Sequence, residues 1–593
     1  MSGGCEEGKL SDNTFRRIVW LSIAIVGILL YSSTFYYTGF QFDGALFLVN
    51  NPLFKDLDYY VELLNIKKFS NLDEQLGLNS DVTTNFMMRP VAYLTFSLNY
   101  MFSELNPFSY RVVNTIIHIC NALLVYECIA RFLSFTPSQK SLTPFSLRFI
   151  PAASAFVFLL HPMQTESVTY INITQRFASL AALFYLATIY TYLVWRWRQQ
   201  QEIKHNSARW VSLLVLFLGM LTRESLFTAP IMLVLLEVTL LGNTLAGGIK
   251  RAKAHIALLP VIPLMVFMVF MVSAAQNNSS PSFSGAVNVV NYVGTPVLHY
   301  ALTQLVVVIT YLRLYLFPYH QNVDHDQTLY TLPYQWPVVV SGFVIIAMLT
   351  GAYFLYRRNS DDKRYTLIFV GFCWYFMGLA VSSSVIPLPD LISEHRAYFS
   401  SIGFIFALIC ILDLVRTYLG SARSGNIMAA LVGLCCVALM IMTYNRNKVW
   451  ESGILLWSNS VRNSPASHRA NYNLGVAHVY AKEYSESIRH LKKSIEISPD
   501  WTQGYDILAV ALINLKRYSE AIDVSIRGIN IDPVDPVFYN NLGIVYIETG
   551  REEDARQAFT KALALRPGYI NAIKNLDRVT SYIESSAARG RGR

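Results

Sequence analysis

The chain has 593 residues, 53% of them hydrophobic and 15% charged, with 36 Tyr and 35 Phe. A typical soluble domain carries about 25% charge, so an ordinary globular enzyme is excluded and a polytopic membrane protein is indicated. The net charge of +9 is no sign of nucleic-acid binding, because the excess sits in short loops such as RWRQQQEIK and KRAK, where it sets topology by the positive-inside rule.

Phe15-Arg16-Arg17 precedes a first apolar segment, 18–38, which reads as an uncleaved anchor with the amino terminus in the cytoplasm. The loop that follows, 39–107, is roughly seventy residues, too long for a simple connector. Tyr59, Tyr60, Leu63, Leu64, Phe86, Tyr93, Phe96, Leu98 and Tyr100 supply too many apolar side chains for disorder. The loop therefore predicts an ordered cap on the outer membrane surface. Further crossings are expected at 108–132, from Phe149, at 177–195, from Trp210, after Ser225, and at 256–274, 338–356, 365–385, 400–415 and 427–444. The segment 297–317 is read as interfacial or re-entrant, since a crossing there would place Arg357, Arg358, Lys363 and Arg364 outside. The total is about eleven crossings, with the carboxyl-terminal region outside. The seven cysteines lie at the amino terminus or inside apolar runs, so neither a disulfide framework nor a CxxC metal site is indicated.

After Tyr444 the composition changes. Pro465, Pro499, Pro533 and Pro567 recur every 34 residues, the tetratricopeptide period. Leu474-Gly475, Leu508-Ala509 and Leu542-Gly543 mark the first helix of each repeat, and Ala521 and Ala555 the close-packing site of the second. The expected fold class is all-α. A polytopic membrane domain, 1–444, is followed by an α-solenoid, 445–585, with full repeats at 468–501, 502–535 and 536–569. A partial leading repeat, a capping helix and a basic tail, 586–593, complete the chain.

FQFDGALFLVNNP, RPVAYLTFSLNYMFSELNPFSYRVVNTIIH, HPMQTESV, LTRES, SEHRAYF and NRNKVWESGILLW resemble, in order, the blocks of the transmembrane and tetratricopeptide repeat-containing O-mannosyltransferase-like proteins, in the GT-C superfamily. With about three full repeats, the chain looks like the short bacterial relatives. The resemblance implies a polyprenyl-phosphate-linked sugar donor, an extracytoplasmic active site, and an acidic residue in the first loop. On that basis the membrane is expected to be a bacterial inner membrane with periplasmic repeats, or the endoplasmic reticulum with lumenal repeats. The partners are the lipid-linked sugar, membrane lipid and a protein or peptide acceptor, with no nucleic acid.

Transfer of sugar from a polyprenyl phosphate requires a base for the acceptor hydroxyl and stabilisation of the departing phosphate. Asp43 matches the acidic position of the family's first loop and is the candidate base; a helix cap is the alternative reading. Many relatives carry a second acidic residue where this chain has Gly44, so the resemblance does not extend to a two-carboxylate site. Arg89 could hold phosphate bidentately or anchor the loop. Glu394, His395 and Arg396 form a candidate phosphate site, with a Glu394–Arg396 ion pair as the rival reading. His161, Glu166 and Arg176 form a second polar cluster, in which Glu166 could orient a base or acceptor or hold Arg176. Arg223 and Glu224 read as an ion pair near the cavity. Asp324 and Asp326, in NVDHD, invite a divalent ion such as Mg or Mn, against a solvated loop. Tyr472, Asn473, Tyr505, Asn540 and Asn541 are candidates for an acceptor groove, some of them helix-packing residues instead. No P-loop, GxSxG or HExxH element is present.

Three functions stay open from the residues alone. One is a glycosyltransferase moving a mannose-like sugar to a protein hydroxyl, its repeats recruiting the acceptor. Another is a membrane-anchored repeat scaffold for envelope or secretion assembly, and the third a transporter of lipid-linked intermediates. Charge within the membrane favours the first and third. The lack of a convincing inverted repeat, and the gathering of the candidates on one face, favour the first.

Overall fold

The structure, a computed structural model, describes residues 3–40, 48–49, 51–62, 80–135, 142–203, 206–267, 295–359, 361–383, 387–388, 390–420 and 423–591. Among these every regular element is helical. The chain divides into two compact units, Met1–Gln321 with Gln327–Glu451, and Asn322–Asp326 with Ser452–Arg593.

The first unit is built on α1 (Gly3–Tyr31), α2 (Pro90–Ser103), α3 (Pro107–Ser134), α4 (Pro144–Leu160), α5 (Thr165–Val168), α6 (Ile173–Gln200), α7 (Ser207–Met220), α8 (Ala229–Thr239), α9 (Val297–Leu316), α10 (Trp336–Arg358), α11 (Lys363–Ala380), α12 (Ser400–Leu419) and α13 (Ser424–Val449). Proline at the first position and a polar cap start α3 and α4. Asn106 accepts from the Phe108 N–H and Thr143 from the Ser146 N–H, satisfying donors that have no partner inside the helix. Seven described helices are long and apolar enough to cross a membrane: Asn13–Tyr36, α3, Thr174–Gln200, α9, α10, α12 and α13. The pair Pro144–Leu160 and Pro162–Val168, bent by 54°, makes an eighth if it is one span. The segment expected to be interfacial, 297–317, forms the unbroken α9. The crossings expected from Trp210 and at 365–385 correspond to α7 and α11, and the one expected at 256–274 runs beyond residue 267, outside the described residues.

Pairs of charged side chains lock the helices together at one end of this unit. Arg16 meets Glu127 at 2.7 Å, Arg196 meets Glu237 at 2.6 Å, and Asp413 receives both Arg364, at 3.0 Å, and Arg416, at 2.8 Å. At the other end the described part of the first loop is packed: Phe54, Phe86, Tyr93 and Phe96 are buried against Tyr110 and Phe177. The unit's last residue is Glu451, beyond the boundary expected at Tyr444, because α13 runs on and buries Arg446, Asn447 and Trp450.

The second unit holds the repeats as helix pairs: α14 (His468–Tyr480) with α15 (Tyr484–Ile497), α16 (Gln503–Asn514) with α17 (Tyr518–Ile531), and α18 (Pro536–Glu548) with α19 (Glu552–Leu565). Helix α20 (Ile570–Arg591) follows and extends into the expected basic tail. Small residues sit where helices approach. Ala521 and Ala555 are fully buried, and a Cβ on Gly543 would overlap the Phe559 ring. A Cβ on Gly528 would likewise overlap the Phe538 ring, so a small residue also lets the second and third pairs approach.

Candidate functional site

A second set of charged residues of the first unit converges at the end that carries the packed loop. There α4 stops at Leu160 and His161 caps the short 3-10 turn Pro162–Gln164: its Nδ1 accepts from the Met163 N–H at 3.2 Å and its Nε2 donates to the Tyr315 carbonyl at 3.1 Å. The bend carries α5 across the end of the bundle and places Glu166 in the interior. Its carboxylate receives two bonds from one residue, His395 Nδ1–H at 2.7 Å and the His395 backbone N–H at 3.1 Å. Glu394, only 1% exposed, accepts from Gln321 Nε2 at 3.3 Å and lies 4.0 Å from Arg446.

Arg446 is held by the last turns of α13, which are stitched to three other elements. Thr443 donates to the Leu160 carbonyl at 2.6 Å, and Thr169 donates to Asn447 at 2.7 Å, while Asn447 in turn donates to the Leu30 carbonyl at 3.3 Å. The Arg446 guanidinium lies 5.3 Å from the Trp450 ring centroid and within electrostatic range of both Glu394 and Glu166. One buried cation is thus shared between two acidic side chains.

A second group surrounds Glu224. Arg89 donates to it at 2.7 Å, bonds to Asn85, and lies 5.3 Å from the Phe177 ring centroid. Arg223 lies within electrostatic range of Glu224, Arg89 and Arg396. Arg396 donates to the Asp390 carbonyl at 2.7 Å. Tyr311, on α9, connects the two groups. Its hydroxyl donates to the Ser393 carbonyl at 2.8 Å and receives the Ser393 N–H at 3.0 Å, and it senses the charges of both Arg396 and Glu166. Arg89, Arg223, Arg396 and Arg446 thus gather with Glu166, Glu224 and Glu394 at one end of an apolar bundle, where isolated charge would be costly. A groove of about 550 Å³, lined by Phe145, Phe149, Phe156 and Arg148 among others, shares no residue with this cluster.

Several sequence candidates land elsewhere or pair differently. Asp43 lies outside the described residues. Arg176 does not pair with Glu166. It is fully buried under the packed loop, donating to Asn114 at 2.7 Å, Asn99 at 2.7 Å, and the Tyr110 and Thr95 carbonyls, with its guanidinium 4.0 Å from the Phe96 centroid. Five donors in one plane suit that lattice of neutral acceptors. Glu394 takes Arg446 rather than Arg396 as its cation, and Glu224 takes Arg89 through a direct bond.

Asp324 is 4% exposed, accepting from Ser467 at 2.8 Å and from Arg469 Nε at 2.8 Å, so its oxygens are committed to a guanidinium and a hydroxyl. Among the described residues no three His, Cys, Asp or Glu side chains converge as metal ligands, and Asp324 and Asp326 do not fit a divalent cation, which would have to displace Arg469. In the repeats, Tyr505 donates to the Pro499 carbonyl at 2.9 Å, Asn541 donates to Asp506 at 2.8 Å and Asn540 accepts from Asn575 at 3.0 Å. These three are buried packing residues, whereas Tyr472 and Asn473 are partly exposed. Sequence reasoning missed Arg446, Tyr311 and Gln321. An arginine near the end of the described span with the highest mean hydropathy was a usable signal for the first; nothing local marked the other two.

A polytopic helical membrane unit, with a polar cluster at one end and helical repeats after it, defines the class: a multi-pass membrane protein bearing a tetratricopeptide α-solenoid. The family model described as "Tetratricopeptide repeat" matches residues 468–500 and 536–569. Over most of its length the chain is similar to "Protein O-mannosyl-transferase TMTC3" of Mus musculus, with 23% identity over 528 residues, 83% of this chain and 52% of the relative. The protein of that name from Homo sapiens is 23% identical over 515 residues, 81% of this chain and 51% of its own. "Protein O-mannosyl-transferase F38B6.6" of Caenorhabditis elegans is 23% identical over 492 residues, 80% and 62%. The chain spans about half the length of the first two curated relatives it matches.

Proposed function

We propose that the protein is an integral-membrane glycosyltransferase of GT-C type that moves a mannose-like sugar from a polyprenyl-phosphate donor to a protein hydroxyl on the extracytoplasmic side, the repeats recruiting the acceptor. The observation that carries this reading is the placing of Arg89 and Arg223 at Glu224, with Arg396 within electrostatic range of Arg223, at the end of an apolar bundle. A phosphate leaving from a membrane-anchored lipid develops charge at such a boundary, and planar guanidinium groups match phosphate oxygens in pairs. The names of the relatives support the reaction class. The orientation is supported by Arg131 and Arg198 in the last turns of α3 and α6, and by Arg16, which pairs with Glu127 one turn before Arg131. In the reaction the acceptor oxygen bonds to the anomeric carbon while the bond from that carbon to the phosphate oxygen breaks, its electron pair leaving with the lipid phosphate.

The test is sugar transfer by the full chain, reconstituted in liposomes with labelled polyprenyl-phosphate mannose and a Ser/Thr peptide. Arg396→Ala is expected to lower kcat by about 100-fold or more, the scale of one lost electrostatic donor. Undiminished transfer by both Arg396→Ala and Arg223→Ala would remove the cation cluster from the reaction. A wild-type chain that binds peptide but transfers nothing would instead favour the scaffold.

A further inference from the structure

The Glu166–His395 pair is not needed to hold a phosphate, and its geometry is that of a group prepared to take a proton. Both Glu166 oxygens bond to His395, one to the ring and one to the backbone N–H of the same residue, so one carboxylate fixes both the ring and the turn that bears it. A carboxylate facing Nδ1 selects the tautomer with the proton there, which leaves Nε2 with a free lone pair. Among the described residues Nε2 has no hydrogen-bond partner. The His395 side chain is 13% exposed against 4% for Glu166, so the imidazole is the reachable member of the pair. It is also the residue before Arg396, which lies within electrostatic range of Arg223.

We propose, resting on the transferase reading above, that His395 Nε2 accepts the proton of the acceptor hydroxyl, with Glu166 as its positioning residue. As the acceptor oxygen bonds to the anomeric carbon, its proton passes to Nε2, and the electron pair of the breaking bond leaves on the lipid phosphate. Glu166 stabilises the imidazolium that forms, and the proton is then released to water. The charged and polar groups around the pair come from every neighbouring element: Gln175 on α6, Arg446 on α13, Tyr311 on α9, and Glu394 and Arg396 on its own turn. Arg446 lies within electrostatic range of Glu166 and 4.0 Å from Glu394.

The experiment measures kcat, KM for the lipid donor and the pH–rate profile of the full chain in liposomes. His395→Asn keeps a side-chain N–H for Glu166 and removes Nε2. It is expected to lower kcat by about 100- to 1,000-fold with donor KM unchanged, and to abolish the acid limb of the profile. Added imidazole is expected to restore part of the rate to His395→Gly, and Glu166→Gln to shift the acid limb while losing less rate than His395→Asn. A His395→Asn chain with the wild-type rate and profile, beside an inactive Asp43→Asn chain, would put the base on Asp43 and leave the transferase reading standing. Lost rate with an unchanged profile and no imidazole rescue would make the pair structural and overturn the proposal. Absence of transfer by the wild type would instead overturn the reading on which it rests.

Discussion

Single residues show how strongly context sets the role of a charge here. Arg176 and Arg396 look alike in sequence, each a lone cation beside an apolar run. The first is spent entirely on neutral acceptors beneath the packed loop, whereas the second follows His395 and lies within electrostatic range of Tyr311 and Arg223. In the repeats, Asp506 shows the opposite imbalance. Burial pushes its carboxyl up to about 6 from 3.8, with Asp535 adding to the rise and the bond from Asn541 opposing it. The folded form therefore holds its proton more tightly than the unfolded form. Below about pH 4 both states are protonated and the residue is neutral in effect. As pH rises toward 6 the unfolded chain ionises first and stability falls, by at most about 3 kcal/mol. Asp506→Asn keeps a carbonyl for Asn541 and is expected to stabilise the repeats at pH 7.5, the gain shrinking to nothing near pH 4. Pulse proteolysis of the repeats across that range checks it, and a gain independent of pH would contradict the cause given.

At the scale of elements, the closest approach in the first unit is between α11 and α12. A Cβ on Gly371 or on Gly403 would overlap the other's carbonyl oxygen, so both positions require a hydrogen in place of a side chain. Close backbone contact is how helices gain packing where lipid offers no hydrophobic drive. Gly403→Val is expected to force the helices apart, lowering the thermal midpoint of the detergent-solubilised first unit by several degrees. Because α12 begins at Ser400, directly after the turn bearing Glu394, His395 and Arg396, the same change is expected to reduce transfer as well. An unchanged midpoint would mean that the two helices part without cost. The bent pair α4–α5 matters differently: the 54° break is what turns Glu166 inward.

The whole molecule is two units with separate cores, one relying on apolar crossings and paired charge, the other on stacked helical pairs. Calorimetry of the full chain is expected to resolve two transitions, Gly403→Val moving one and Asp506→Asn the other. A single transition moved by both variants would show that the units unfold together. The repeat architecture was legible from the chain because a 34-residue period and small residues at close-packing sites are local signals, repeated until chance is excluded. The membrane helices were legible because uninterrupted apolar length is itself the requirement for crossing. The pairing of charges was not. Glu166 and His395 are 229 residues apart, Arg89 and Glu224 are 135 apart, and Asp324 meets Arg469 across 145. The amino-acid sequence alone determined that this protein crosses a membrane and carries a solenoid after the crossings, since both follow from composition and periodicity along the chain. Which carboxylate faces which cation was decided only by the tertiary structure, because helix ends distant in sequence meet only after the bundle packs, and Coulomb energy depends on that distance and not on sequence order.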